Sequence, residues 1–289
     1  APASVEATSS AGAVVTWDSS QTTAADVADS SVDVTYSPAS GSTFAIGDTV
    51  VTATATDNAS LTATCSFTVT VTDNTDPTVT CPSAPASVEA TSSSGAPVSY
   101  DAATATDIGD SSVDISYSAA SGSTFAIGTT TVTVTATDDT GNTSTCTFNV
   151  TVTDNTDPTI TCPSAPASVE ATSSSGAAVS YSAASATDIG DSSVDITYSV
   201  ASGSTFAIGT TAVTATATDD SDNVSTCTFN VTVTDNTDPT ITSTPADQTL
   251  ASVCGVDGYA TGAATVTWNA ATATDIGDDS VDITYSHAS

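Results

Sequence analysis

The sequence contains no lysine, no arginine and no methionine among its 289 residues. Thirty-three aspartates and glutamates therefore stand unopposed, and the formal charge is −33. A surface of that sign repels phosphate backbones and anionic lipid, which excludes nucleic acid as a partner. It also removes Lys and Arg salt bridges, so each carboxylate must be met by water, a backbone N–H, a hydroxyl or a bound cation. Without lysine there can be no Lys–Asn isopeptide crosslink, and cysteine is the remaining covalent staple. No apolar run is long enough for a membrane span, and no stretch shows helical apolar periodicity, so direct membrane insertion is not expected. The single histidine, His287, gives a Ser-His-Asp site no recurring base, which argues against an enzyme. The chain carries neither an initiator methionine nor a signal peptide, as expected of a mature or excised segment.

What is present is apolar enough to fold. Val, Ala and Ile supply most of a 38% hydrophobic content, interleaved with Thr in the habit of strands. TVTDNTDPT occurs at Thr70–Thr78, Thr151–Thr159 and Thr232–Thr240, a period of 81 residues. GSTFAIG keeps the same period at Gly41, Gly122 and Gly203, as do Cys65, Cys146 and Cys227, and Cys81 and Cys162. Such regularity means stacked domains, each with its own core. The expected boundaries are 1–74, 75–155, 156–236 and a truncated variant copy at 237–289. The first copy lacks its first cysteine, and both ends interrupt a domain, so the chain is expected to be a window on a longer protein.

Within a copy the apolar residues alternate. Val132, Val134 and Ala136 take one face; after a turn at Asp139–Asn142, Cys146, Phe148, Val150 and Val152 take the same face. That pattern predicts a hairpin with one buried side. Val113, Ile115 and Tyr117 alternate in an earlier strand. Several short strands in about eighty residues predict an all-β fold of tandem immunoglobulin-like sandwiches, arranged as an elongated rod. Trp17 and Trp268 stand where other copies have Tyr100 and Tyr181, which makes them core aromatics.

A TCP opening, a Gly-x-x-Phe-x-x-Gly turn and V-T-A-T-D…G-N…C-T-F-x-V-T-V-T-D together resemble the hyalin repeat (HYR) family. The resemblance implies an immunoglobulin-like extracellular module, as found in cell-adhesion proteins and giant bacterial surface proteins. It departs in the last copy, which has Ser243 for the expected cysteine and carries Cys254 instead. In that topology Cys81 and Cys146 lie at one end of the sandwich, whereas eight extended residues after Cys146 lead roughly 26 Å away from it. Disulfide Cα atoms must lie within about 7 Å. The expected pairs are therefore Cys81–Cys146 and Cys162–Cys227, with Cys65 pairing upstream of Ala1 and Cys254 downstream of Ser289. Such pairs imply an oxidising, extracellular or cell-surface location.

The acidic residues recur in three groups per copy. In the linkers these are Asp73, Asn74 and Asp76; Asp154, Asn155 and Asp157; and Asp235, Asn236 and Asp238. In the turn after the second strand they are Asp107 and Asp110, Asp188 and Asp191, and Asp275, Asp278 and Asp279. At the hairpin they are Asp138 and Asp139, and Asp219 and Asp220. In a sandwich of alternating strands all three groups converge at the junction between domains. Calcium, which takes about six to eight oxygen ligands, is the cofactor expected there. The linker D-N-T-D-P also looks like the calcium-binding linkers of cadherins. Against this stands the ordinary preference of Asp and Asn for solvated turns.

The expected role is a structural stalk or filament segment of a surface adhesin, partnered by neighbouring repeats of a longer chain. The alternative is that the repeats bind glycans or a protein partner themselves, or are accessory modules of a secreted enzyme. Thr ladders such as Thr131, Thr133, Thr135 and Thr137 are better explained by exposed strand preference than by ice binding. Asn58, Asn142, Asn149, Asn223 and Asn230 begin glycosylation sequons.

Overall fold

The computed structural model describes residues 4–28, 31–249 and 266–286. His287, and Cys254 with its expected downstream pairing, lie outside the described residues. The chain divides into two compact units, Ala1–Asp154 and Asn155–Ser289. Apart from one 3-10 turn at Ser19–Gln21, the regular structure among the described residues is all β. No described helix is long and apolar enough to cross a membrane.

The first unit holds two sandwich domains. Strands β1 (Val5–Glu6), β2 (Ala13–Val14), β3 (Asp33–Ser37), β4 (Thr43–Phe44), β5 (Gly47–Thr56) and β6 (Thr62–Thr72) build the first domain. The second uses β7 (Thr78–Thr80), β8 (Val88–Glu89), β9 (Ala96–Pro97), β10 (Thr104–Thr106), β11 (Asp114–Tyr117), β12 (Thr124–Phe125), β13 (Gly128–Thr137) and β14 (Thr143–Thr153). One sheet runs β11-β13-β14-β8, and the pairs β10-β7 and β12-β9 complete the domain. The first domain repeats the four-stranded order as β3-β5-β6-β1 and the small pair as β2-β4.

The long β13-β14 hairpin forms because both strands alternate β-branched or small apolar residues with Thr. Their register pairs Val132 with Phe148 and Val134 with Cys146. The inward set Val132, Val134, Val150 and Val152 is at most 1% exposed. Fully burying a Val side chain contributes about 1.5–3 kcal/mol, so these four dominate the core. Phe125 and Ala96 cover them from the opposite pair of strands. Tyr100 meets Phe148 edge-on at 4.8 Å between ring centroids, and its half-buried hydroxyl donates to the Ala119 carbonyl. In the first domain Trp17 takes that place, packed edge-on against Phe67, Phe44 and Tyr36.

Disulfides join Cys81 to Cys146 and Cys162 to Cys227, each with Cα atoms 5.8 Å apart. Cys65 is free and exposed. The second unit contains a third domain of the same plan, with sheet strands Asp195–Tyr198, Gly209–Thr218, Val224–Thr234 and Val169–Glu170. In the same unit Thr240–Ser243 pairs antiparallel with Thr272–Thr274.

Candidate metal centre at the domain junction

The junction inside the first unit is formed where β6 runs out into the linker. Val71 ends the buried face of β6, and the next inward position, two residues on, is Asp73. Strand alternation therefore turns this carboxylate inward instead of into solvent. Asp107 follows β10, which is held in place by a hydrogen bond from Ala103 N to the Tyr117 hydroxyl, 2.7 Å. Asp138 directly follows β13, and the hairpin closes when Asp138 N donates to Asn142 O at 3.1 Å.

These three elements bring Asp73, Asp107 and Asp138 together, with one carboxylate oxygen from each lying within 4.8 Å of the others. Asp73 and Asp138 are buried, and Asp107 is half-buried. Their surroundings differ. Asp138 is well served: Asn142 N, Thr140 N and the Thr140 hydroxyl donate to Oδ1, and Asn142 Nδ2 donates to Oδ2 at 2.7 Å. Burial pushes its carboxyl up, but the hydrogen bonds from Asn142 and Thr140 outweigh this and hold it below its ordinary range. Asp73 accepts only from Thr75 N, at 3.2 Å on Oδ1. Its Oδ2 is buried with no partner, as is Asp107 Oδ1. Burial and the neighbouring Asp107, Asp138 and Glu6 push the Asp73 carboxyl up, against the Thr75 hydrogen bond. A buried, unpaired carboxylate oxygen beside two further carboxylates is an arrangement that a cation relieves.

The remaining expected ligands of this junction stand apart. Asn74 and Asp76 are exposed, and Asn74 is engaged by Glu6. Asp110 accepts from Asp139 N at 3.1 Å through Oδ2 and from Ser112 N through Oδ1, so it braces the hairpin. Asp139 itself is exposed. The junction is fastened further by Asn142 Nδ2, which donates to Asp73 O at 3.2 Å.

In the first unit Asp154 is buried. In the second, Asn155 and Asp157 are exposed, and Asp188 accepts from Gly190 N at 2.6 Å. Asp191 accepts from Asp220 N, and Asp219 from Ser221 N and Asn223 N, the pattern already seen at Asp110 and Asp138. Asp235, Asn236 and Asp238 are exposed. Asp275 accepts from Gly277 N while its Oδ2 is buried without a partner. Gly277 lies so near Asp235 that a Cβ there would stand 2.1 Å from Oδ2. Asp278 accepts from Ser280 N at 3.0 Å, and Asp279 is exposed.

Sequence reasoning missed the glutamate that holds the linkers after the first and third domains. Glu6 Oε1 accepts from Asn74 N at 2.6 Å and Oε2 from Asn74 Nδ2 at 2.8 Å, with Thr72 and Thr75 hydroxyls at 3.3 Å. Glu170 repeats this with Asn236 at 2.6 and 2.9 Å. The backbone and side-chain hydrogen bonds from Asn74 and from Asn236 hold both glutamates below their ordinary range. The available signal was the recurrence of Val-Glu-Ala at Val5, Val88 and Val169.

The family model described as HYR domain matches residues 3–71, 72–152 and 153–233. No curated protein matches the chain. Among solved structures, the extracellular cadherin domains 1–5 of Protocadherin Gamma B2 are similar at 17% identity and a TM-score of 0.32. That match covers 66% of this chain, which spans 47% of the protocadherin chain. Mouse Cadherin-23 EC22-24 is similar at 16% identity and a TM-score of 0.31, covering 70% of this chain and 86% of the other. Drosophila N-cadherin EC1-4 follows at 13% identity and a TM-score of 0.31, covering 72% and 68%.

Proposed function

Because the chain belongs to the HYR domain family and carries three copies in series, we propose that it is a structural segment of an extracellular adhesion protein whose junctions are clamped by calcium. The observation that carries this is Asp73: a buried carboxylate with an unpartnered oxygen, facing Asp107 and Asp138 in a chain without Lys or Arg. Carboxylate oxygens are hard donors of the kind calcium prefers, and three of them supply three to six of about six to eight ligand positions. Linker, turn and hairpin belong to different elements, so one ion bound to all three restrains the hinge between the first two domains. The two disulfides suit an oxidising exterior. Repetition and covalent staples suit such a segment, and calcium at the junction would supply the stiff joint.

Isothermal titration of the metal-free chain with calcium is the test. Binding should be present in the parent and weakened at least tenfold at this junction by Asp107→Asn, with both domains still folded. A chelator should also open the linker Asp73–Pro77 to a protease of broad specificity; trypsin has nothing to cut. No heat up to millimolar calcium would reduce the acidic cluster to a solvated turn.

A further inference from the structure

The three carboxylates of the first junction are not carried by one sheet. Asp107 directly follows β10, which pairs antiparallel with β7, Thr106–Thr104 against Thr78–Thr80. Asp73 stands on the same side, because its linker runs through Pro77 straight into β7 and its carboxylate rests against Gly109. Asp138 belongs to the other side: it directly follows β13, whose ladder with β14 lies in the four-stranded sheet. Among the described residues no ladder joins β7 or β10 to β13 or β14. The cluster bridges two sheets, so its geometry depends on what keeps those sheets together at this end of the domain.

Two ties cross from one sheet to the other beside the cluster. Ser144 Oγ donates to the Pro77 carbonyl, which joins the start of β14 to the end of the linker. Cys146, two residues further along β14, is bonded to Cys81, the residue that follows β7. Residues 144 and 146 share one face of β14, so both ties leave the same side of the strand. The disulfide is the covalent one. Cys146 pairs with Val134, four residues before Asp138, and both half-cystines pack against the core. The force it resists is also on the page: carboxylate oxygens within 4.8 Å of one another, with no Lys or Arg to offset them, push the Asp138 hairpin away from Asp73 and Asp107.

We propose that the Cys81–Cys146 disulfide is a positioning element of the metal centre: it holds the Asp138 hairpin against Asp73 and Asp107, and breaking it weakens calcium binding while the core of the second domain stays folded. The inference rests on the calcium reading given above. Ligands already held in place need no ordering when the ion arrives, whereas ligands on two sheets free to part must be drawn together against their own repulsion. The coupling is reciprocal, so the factor by which reduction lowers calcium affinity is also the factor by which bound calcium disfavours reduction. A disulfide that served the fold alone would leave the affinity of the folded domain unchanged.

The test titrates calcium into the intact oxidised chain and into the double variant Cys81→Ala/Cys146→Val, which keeps both positions apolar. The junction site is the one that Asp107→Asn removes. Its affinity should fall about tenfold in the double variant, an ordinary coupling between two sites, while amide exchange at Val132 and Val150 stays slow. If the variant loses its core in buffer, both proteins are compared in concentrated sucrose, which favours the folded state of each. Equal affinity in the two folded proteins would overturn the proposal and leave the calcium reading standing. No calcium binding by the oxidised parent would remove both. In the reciprocal arm the parent is equilibrated with dithiothreitol and its cyclic disulfide, in millimolar calcium or in chelator. Each reduction transfers two electrons: the dithiol closes to its ring disulfide, the Cys81–Cys146 bond breaks, and the two cysteines take up the two protons as thiols. Calcium should raise the dithiol-to-disulfide ratio needed to reduce half of Cys81–Cys146 by about the same factor, and Asp107→Asn should abolish that shift. A shift of equal size in Asp107→Asn would assign it to calcium bound elsewhere and overturn the proposal.

Discussion

Gly109 lies directly beneath the Asp73 carboxylate, so close that a Cβ on residue 109 would stand 2.1 Å from Asp73 Oδ2 and 2.4 Å from its Cγ. The contact joins the linker to the turn that carries Asp107. Gly109→Ala should therefore push Asp73 out of the cluster. Overpacking of this kind costs about 1–3 kcal/mol, and calcium affinity at the junction should drop with it. Ala28→Gly, at the position of the first domain that corresponds to Gly109, should leave calcium affinity at this junction unchanged. Calcium titration and thermal melting of the two variants make the comparison.

Asp73→Asn should act in opposite directions with and without metal. In chelator it removes a buried charge that lacks a partner, so the first unit should melt higher than the parent. In millimolar calcium it removes a ligand, so it should melt lower. Calorimetry in the two buffers would reject the metal site if the sign did not reverse.

The pH dependence divides by residue. Because the Asp73 carboxyl is raised, its contribution to stability is fully present below the unfolded pKa and lost as pH rises through the folded value. Asp138 and Glu6 are lowered, so their contributions are present above the unfolded values and lost as pH falls through the folded ones. Carboxyl carbon resonances in chelator should show Asp73 titrating at higher pH than Asp138. Added calcium should bring the Asp73 midpoint down, since metal and proton compete for one oxygen. An Asp73 midpoint below that of Asp138 in chelator would contradict the burial argument.

Reduction should separate the first domain from the others. Each disulfide closes a span of 65 residues, worth about 4 kcal/mol in the chain-entropy description. Domain-resolved hydrogen exchange should show the second and third domains losing protection in reductant while the first, with Cys65 free, does not.

Glu6→Ala should free the linker without touching a core. Asn74 N and Nδ2 lose their acceptor, so amide exchange at Asn74 and Thr75 should quicken and calcium affinity should fall several-fold through the loss of Asp73 placement. Unchanged exchange at Asn74 would show that the contact does not hold the linker.

The all-β class and the long hairpin were legible in the sequence because a half-buried strand writes its environment in a period of two. Val132 to Val152 could be placed on one face without coordinates, and the 81-residue repeat made each reading three times over. The acidic groups were legible as groups but not as ligands. Turn chemistry favours Asp at Asp76, Asp110 and Asp139 as much as at Asp73, Asp107 and Asp138, so composition could not separate bracing residues from those that face one another. Glu6 was legible only as part of a recurring Val-Glu-Ala and not as a linker contact: its partner Asn74 lies 68 residues on, and no local pattern links a short first strand to the end of the last.

What the sequence determined by itself is therefore local and repeated: strand alternation, the frame of cysteines, and a charge that only solvent, hydrogen bonds or a cation can offset. The tertiary structure decided which carboxylates lose their water. Asp73 and Asp76 each follow a threonine, three residues apart, yet one continues the inward face of β6 and is covered by the turn and hairpin while the other is exposed. Desolvation depends on which surfaces close over a side chain, and that is settled by the packing of linker, turn and hairpin, elements too far apart in the chain for any short-range pattern to record.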